Sequence, residues 1–108
     1  MKTLALELEQ MQQGAQLACK LMKILANPDR LMILCRLSQG ELRVGEIEEE
    51  LAIVQPTLSQ QLTILRNENL VSTRRDGKNI YYQLSSTEAL AVIKVLYSQF
   101  CDSGKKRI

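Results

Sequence analysis

Histidine and tryptophan are absent from the 108 residues, and only three tyrosines and one phenylalanine are present. Without histidine the chain lacks the usual general base of enzymes and the commonest ligand of transition metals. So few aromatic rings also leave little surface for stacking unpaired bases, as proteins that bind single-stranded nucleic acid do. We therefore expect neither an enzyme nor a single-strand binder, and the sequence predicts no catalytic residue, metal ligand or cofactor.

Long apolar runs are also missing, and acidic residues and glutamines recur through the first twenty positions. That pattern excludes a secretory signal and a membrane-spanning helix, so we expect a cytoplasmic protein. The length predicts a single domain over residues 1–102, followed by a flexible basic tail at 103–108. A net charge of +2 does not by itself indicate a nucleic-acid partner, but the basic residues gather locally near positions 66–78 and in the tail.

Helical spacing dominates most of the chain. Apolar residues three and four apart predict a helix over 3–25, and Asn27-Pro28 ends it and caps a second helix at 28–37. A third helix opens at Val44-Gly45, and Pro56 begins a fourth that runs to about residue 68. Alternating residues at 70–75 and 78–84 predict strands joined by Asp76-Gly77, and a serine-capped helix follows at 87–101. The order α-α-α-α-β-β-α predicts a mainly α fold with a β-hairpin, a winged helix-turn-helix.

The fourth helix has an apolar stripe at Leu58, Leu62 and Leu65, which turns short polar side chains to other faces. Such side chains suit the base edges and phosphates of a DNA major groove. The predicted DNA contacts on and beside this helix are Gln55, Thr57, Ser59, Gln60, Gln61 and Thr63. A polar coat on an exposed helix is the alternative for each of them taken singly.

The predicted hairpin carries basic and polar residues at its tip: Arg74, Arg75, Lys78 and Asn79. Beside a recognition helix, such a tip reaches backbone phosphates or an adjacent minor groove. The alternatives are a solubilising loop and a winged-helix module that binds protein.

The first and last helices are more apolar than one small core requires. We infer that they pair across a two-fold axis in a homodimer. The alternative is that both helices pack on the back of their own domain.

The chain has three cysteines, Cys19, Cys35 and Cys101, and no two of them form a CxxC pair. Zinc sites of the common spacing are therefore not predicted. We expect Cys19 to be a small buried hydrophobe. Cys35 and Cys101 lie near helix ends, and a bond between them in a reducing cytosol would be conditional, which suits a sensor.

The chain resembles the ArsR/SmtB family of winged-helix repressors over residues 21–101. The similarity lies in three segments: ANPDRLMILCRL, QPTLSQQLTILRNENLV and RRDGKNIYYQL. It implies a homodimer joined through its first and last helices, which binds imperfect palindromes of double-stranded DNA and leaves them when an inducer arrives.

Two departures separate the chain from the metal sensors of that family. Their third helix carries a cysteine-valine-cysteine motif where residues 41–46 here read ELRVGE, and their last helix supplies Asp and His where this one has neither. Cys35 and Cys101 instead match the branch of biofilm growth-associated repressors. That resemblance implies a dithiol that reacts with reactive sulfur species or oxidants, forms a disulfide or polysulfide bridge and derepresses genes for sulfide detoxification. A metal sensor that uses the three cysteines is the alternative.

Overall fold

The computed structural model describes residues 2–102, so the predicted tail at 103–108 lies outside the described residues. All seven predicted elements are present, and the mainly α winged helix-turn-helix is confirmed. The elements in chain order are α1 (Lys2–Leu25), α2 (Pro28–Leu37), β1 (Leu42–Arg43), α3 (Val44–Leu51), α4 (Thr57–Asn67), β2 (Val71–Asp76), β3 (Asn79–Leu84) and α5 (Thr87–Phe100).

Two predicted helix starts are confirmed by their caps. The side chain of Asn27 accepts a hydrogen bond from the backbone N–H of Arg30 at 3.0 Å, and Pro28 is the first residue of α2. Ser86 accepts from the N–H of Ala89 at 3.1 Å and begins α5 in the same way. Each cap satisfies an N–H that the helix itself leaves without a partner.

The core lies where α2, α3, α4 and α5 meet. Its largest fully buried side chains are Ile33, Leu34, Ile47, Leu58, Leu65 and Ile93. Each such side chain stabilises the fold by about 1.5–3 kcal/mol relative to an exposed one. Because α4 supplies the predicted stripe to this core, its rotation about its own axis is fixed.

The strand β1 was not predicted. Its two residues are too few to show an alternating pattern, yet Leu42 pairs with Tyr82 and Arg43 with Tyr81 in an antiparallel ladder. The resulting sheet has the order β1-β3-β2, and Leu42 is buried in the core. Since β1 directly precedes α3, it attaches the hairpin to the helix-turn-helix.

The predicted hairpin turn is wrong by one residue. Asp76 still belongs to β2 and pairs with Asn79, so the loop consists of Gly77 and Lys78. Gly77 has a φ of 65° and takes the first position of the loop, where a positive φ suits glycine. Lys78 therefore lies at the tip of the hairpin rather than at the start of a strand.

The connection between α3 and α4 also differs in detail from the prediction. Ala52 ends α3 in the left-handed conformation, with a φ of 54°. Pro56 holds the N-cap position of α4 instead of its first helical position. Glycine usually takes the left-handed position after a helix, so an alanine there gave no sequence pattern to follow.

Most of α1 extends beyond the core. Leu17 is 71% exposed and Met11 68%, whereas Leu25 in the last turn is buried. Cys19 is also exposed, so the expectation of a buried Cys19 is wrong for the protomer: α1 meets the core only near Leu21 and beyond. Tyr97 and Phe100 on α5 are exposed as well. Among residues 2–102, no helix is long and apolar enough to cross a membrane.

Candidate DNA-binding surface and thiol pair

The helix α4 presents polar side chains to solvent because its stripe of three leucines is buried in the core, while Ile64 is 38% exposed. Leu58, Leu62 and Leu65 are buried, and Gln60 and Thr63 are exposed. The side chain of Gln60 makes no hydrogen bond to any other residue in the 2–102 region. Gln60 therefore has both its carbonyl oxygen and its amide nitrogen available to a ligand.

Three of the predicted contacts hold one another in place at the start of α4. The Gln55 side-chain oxygen accepts from the backbone N–H of Ser59 at 3.1 Å and from the Ser59 hydroxyl at 2.6 Å. The Thr63 hydroxyl donates to the carbonyl of Ser59 at 2.8 Å. Gln55, which precedes the N-cap residue Pro56, thus binds the first turn of the helix, yet its amide nitrogen and the oxygens of both hydroxyls keep free hydrogen-bonding capacity. The half-buried Thr57 lies one turn before Gln61 on the same helix.

Gln61 differs from the other predicted contacts. It is half-buried, and its side-chain oxygen accepts a hydrogen bond from Nη1 of Arg30 at 3.0 Å. Arg30 belongs to α2 and was not predicted to take part in this surface. Gln61 is therefore held against the body of the domain, whereas Gln60 points away from it.

The two faces of the hairpin separate its two arginines. Arg75 pairs with Ile80 and shares the face of Tyr82 and Leu84, which pack against the core further along the strand. Arg74 lies on the opposite face. The position of each arginine in the ladder therefore decides which neighbours it meets.

Arg74 is engaged by an acidic and an aromatic neighbour. Its Nε donates to both carboxylate oxygens of Glu41, at 3.1 and 2.9 Å, and its Nη2 also contacts Glu41. Its guanidinium carbon lies 4.4 Å from the centroid of the Tyr81 ring, and Asp76 is 4.0 Å from its Nη1. The hydrogen bond from Arg74 lowers the pKa of the Glu41 carboxyl, and the same bond raises the pKa of Arg74. The charge of Arg74 is therefore balanced within the protein.

Arg75, Lys78 and Asn79 are exposed at the hairpin tip. None of the three has an ion pair or a side-chain hydrogen bond within the part of the chain that the structure describes. These residues can approach a phosphate without first breaking an internal contact. Of the four residues predicted at the hairpin tip, these are the three whose side chains the fold leaves free to contact DNA.

The thiols of Cys35 and Cys101 come from two helices that pack together. Cys35 is half-buried near the end of α2, and Cys101 is exposed directly after α5. Burial raises the pKa of the Cys35 thiol, and the charge of the Cys101 thiolate raises that pKa further. The fold thus places the two cysteines on helices that pack against each other, and both are free thiols.

A metal site from all three cysteines finds no support in the described geometry. Cys19 lies on the exposed part of α1, and residues 2–102 contain no cluster of three or more His, Cys, Asp or Glu side chains that could hold a metal ion.

Sequence patterns did not reveal Arg30, Glu41 or Tyr81 as neighbours of the candidate site. Their contacts join residues that are far apart in the chain, such as Arg30 with Gln61 and Glu41 with Arg74.

Comparisons with known proteins agree with this geometry. Residues 27–73 match the family model for bacterial regulatory proteins of the arsR family. The chain is 50% identical to the biofilm growth-associated repressor of Agrobacterium fabrum, over 84% of this chain and 78% of that protein. It is 39% identical to the transcriptional activator HlyU of Vibrio cholerae, over 97% of each chain.

The solved structure of the transcriptional repressor BigR from Xylella fastidiosa has the same fold. It superposes with a TM-score of 0.81 at 44% identity, covering 88% of this chain and 97% of that one. The resemblance to the biofilm growth-associated repressors is thereby confirmed, and each of these relatives is a transcriptional regulator rather than an enzyme. This chain belongs to the arsR family of bacterial regulatory proteins.

Proposed function

We propose that the protein is a homodimeric repressor that binds a palindromic DNA operator and is released when Cys35 and Cys101 are oxidised or modified by persulfides. The observation that carries the proposal is geometric: Cys35 lies on α2 and Cys101 directly follows α5, and α2 packs against both α5 and α4. Its regulated genes would be those for sulfide detoxification, in keeping with the resemblance stated above.

DNA recognition rests on α4 and the hairpin. The exposed Gln60 suits an adenine edge, and the Thr57, Ser59 and Thr63 side chains suit phosphates or a thymine methyl group. Arg75 and Lys78 at the hairpin tip supply charge to the backbone beside the same groove. Two recognition helices about one helical turn of DNA apart would then meet two half-sites.

Dimer formation would cover the exposed apolar residues of the first and last helices. Those residues are Leu4, Leu8, Met11, Leu17, Val95, Tyr97 and Phe100. Exposed apolar side chains of this number on two neighbouring elements favour association with a second copy.

The chemistry requires a persulfide or another two-electron oxidant. We propose that the exposed Cys101 attacks the sulfane sulfur of an organic persulfide, taking that sulfur and releasing a thiol. Cys35 then attacks the Cys101 sulfur, forming a disulfide and releasing hydrogen sulfide, so that two protein thiols are oxidised and one sulfane sulfur is reduced. Further sulfane sulfurs would give a polysulfide bridge instead.

Release would follow from the position of α2. This helix carries Cys35 and packs against both α5 and α4, so bonding Cys35 to Cys101 acts on the helix that contacts the recognition helix. A small shift of α2 would misplace both recognition helices of the dimer together.

Operator binding by reduced and persulfide-treated protein tests the proposal. Cys35→Ser and Cys101→Ser should bind operator like the wild type and should not be released by polysulfide, whereas Cys19→Ser should be released normally. Intact mass spectrometry would distinguish a disulfide, which loses two hydrogens, from a bridge that gains sulfur atoms. Normal release of either Ser variant at Cys35 or Cys101 would refute the thiol assignment.

A transcription assay separates repression from activation, because HlyU is an activator while the other two relatives are repressors. A reporter behind the operator should be silent with reduced protein and active after persulfide treatment. The opposite response would overturn the proposed sign of regulation and leave the thiol chemistry in place.

A further inference from the structure

Arg30 joins three helices through one side chain. Its Nε donates to the carbonyl of Ile24 at 2.8 Å and its Nη2 to the carbonyl of Lys23 at 3.4 Å, both in the last turn of α1. Its Nη1 donates to the side-chain oxygen of Gln61 on α4 at 3.0 Å. Its own backbone N–H is held by the cap residue Asn27. We propose that Arg30 and Gln61 form a bridge that positions the recognition helix, and that Gln61 does not read a base.

The end of α1 explains why the guanidinium stays in this place. The last carbonyls of a helix have no partner inside it, and the Arg30 side chain supplies donors to two of them. A guanidinium is planar, and its donors point in fixed directions. Once Nε and Nη2 are bound to α1, the direction of Nη1 is set, and it meets Gln61.

The hydrogen bond from Arg30 disfavours base recognition by Gln61, because it fixes the orientation of the amide within the domain. A glutamine that reads adenine uses its oxygen to accept from the base and its nitrogen to donate to it, as a pair. The Gln61 oxygen already accepts from Arg30, whereas both groups of Gln60 are free within the described chain. We therefore assign base recognition on this helix to Gln60 and positioning to Gln61.

The bridge ties the recognition helix to the helix that carries the exposed apolar residues. Since Arg30 contacts the end of α1 and Gln61 belongs to α4, the bridge couples a movement of α1 to α4, alongside the ion pair of Lys20 on α1 with Glu68 at the end of α4. This inference rests on the proposed DNA binding, and it concerns how the surface is held rather than what releases it.

Operator affinities of variants at three positions test the assignment. Arg30→Met and Gln61→Met should each weaken operator binding roughly tenfold, the effect of losing one hydrogen bond to a charged group. The double variant should be no weaker than Arg30→Met, because both changes remove the same bridge. Arg30→Lys should not restore operator affinity, since the compact ammonium group lacks the planar set of donors with which a guanidinium binds the two α1 carbonyls and Gln61 together. If the double variant instead loses operator affinity by the product of the two single losses, the proposed bridge is wrong.

Affinities for a set of operators with single base changes distinguish a residue that reads a base from one that only positions the helix. Gln61→Met should lower affinity for every operator by the same factor, while the control Gln60→Met should erase the preference at one base pair in each half-site. If Gln61→Met instead erases a preference at one base pair, Gln61 reads that base and the inference is wrong.

Amide hydrogen exchange without DNA distinguishes a failure of this inference from a failure of the proposed function. Gln61→Met should speed exchange in α4 and in the last turn of α1, and Gln61→Glu, which keeps an acceptor for Arg30, should retain the protection of the wild type. Unchanged exchange in Gln61→Met would overturn the bridge even if no duplex is bound. A wild-type protein that binds no palindrome but shows these exchange effects would refute the proposed function alone.

Discussion

Replacing Arg75 with alanine should change how strongly DNA binding depends on salt. Arg75 is exposed at the hairpin tip without an ion pair in the described region, whereas Arg74 is bound by Glu41 and stacked on Tyr81. Only an arginine whose charge reaches a phosphate releases counterions from DNA. The two neighbouring arginines should therefore behave differently in the same assay.

The size of the effect follows from the number of contacts. Each neutralised phosphate contributes about 0.9 to the slope of log affinity against log salt, and a dimer carries two copies of Arg75, so the slope should become shallower by about 1.8. Between about 50 and 200 mM salt, the wild type should then lose roughly twelvefold more affinity than Arg75→Ala.

Fluorescence anisotropy of a labelled operator at several KCl concentrations measures both slopes. The matched control is the double variant Glu41→Ala with Arg74→Ala, which removes an internally balanced pair and should keep the wild-type slope. An unchanged slope in Arg75→Ala would refute a phosphate contact there. A slope reduced in the control would show that Arg74 leaves Glu41 when DNA binds.

Three further predictions concern stability and the thiols. Leu65→Ala should lower the free energy of unfolding by about 2.7–5 kcal/mol, as measured by urea denaturation at fixed protein concentration, because it leaves a cavity in the core; a loss below 1 kcal/mol would contradict that burial. Iodoacetamide at neutral pH should modify Cys101 before Cys35, since burial raises the pKa of the Cys35 thiol while Cys101 is exposed. Peptide mass mapping checks this order, and equal rates would contradict it. Arg74 lowers the pKa of Glu41, so their pair stabilises the fold above the unfolded pKa of Glu41 and is lost as pH falls through the folded one. The carboxyl titration followed by NMR should therefore shift to higher pH in Arg74→Ala, and an unmoved midpoint would argue against the pair.

Local patterns were sufficient for most of the fold. Asn27-Pro28 and Ser86 cap their helices as predicted, and the stripe at Leu58, Leu62 and Leu65 is buried. The two-residue strand at Leu42 was missed because its stability comes from pairing with Tyr82, forty residues later in the chain. The turn at Gly77 shifted because the ladder extends one pair further than alternation alone suggests.

The candidate site was harder to predict because residue type does not reveal side-chain partners. Gln60 and Gln61 are adjacent and chemically identical, yet only Gln61 meets Arg30. Arg74 and Arg75 are also adjacent, and the alternation of a strand sends only Arg74 toward Glu41. Both distinctions depend on tertiary contacts between distant segments, which a single sequence does not display.

The exposed apolar length of α1 has a consequence for dosage. If a second copy must cover residues such as Met11 and Leu17, the dimer that occupies both half-sites predominates only above its dissociation constant. Below that concentration, operator occupancy would rise with the square of the protein concentration. A cell could then relieve repression by diluting the protein through growth, with no inducer present.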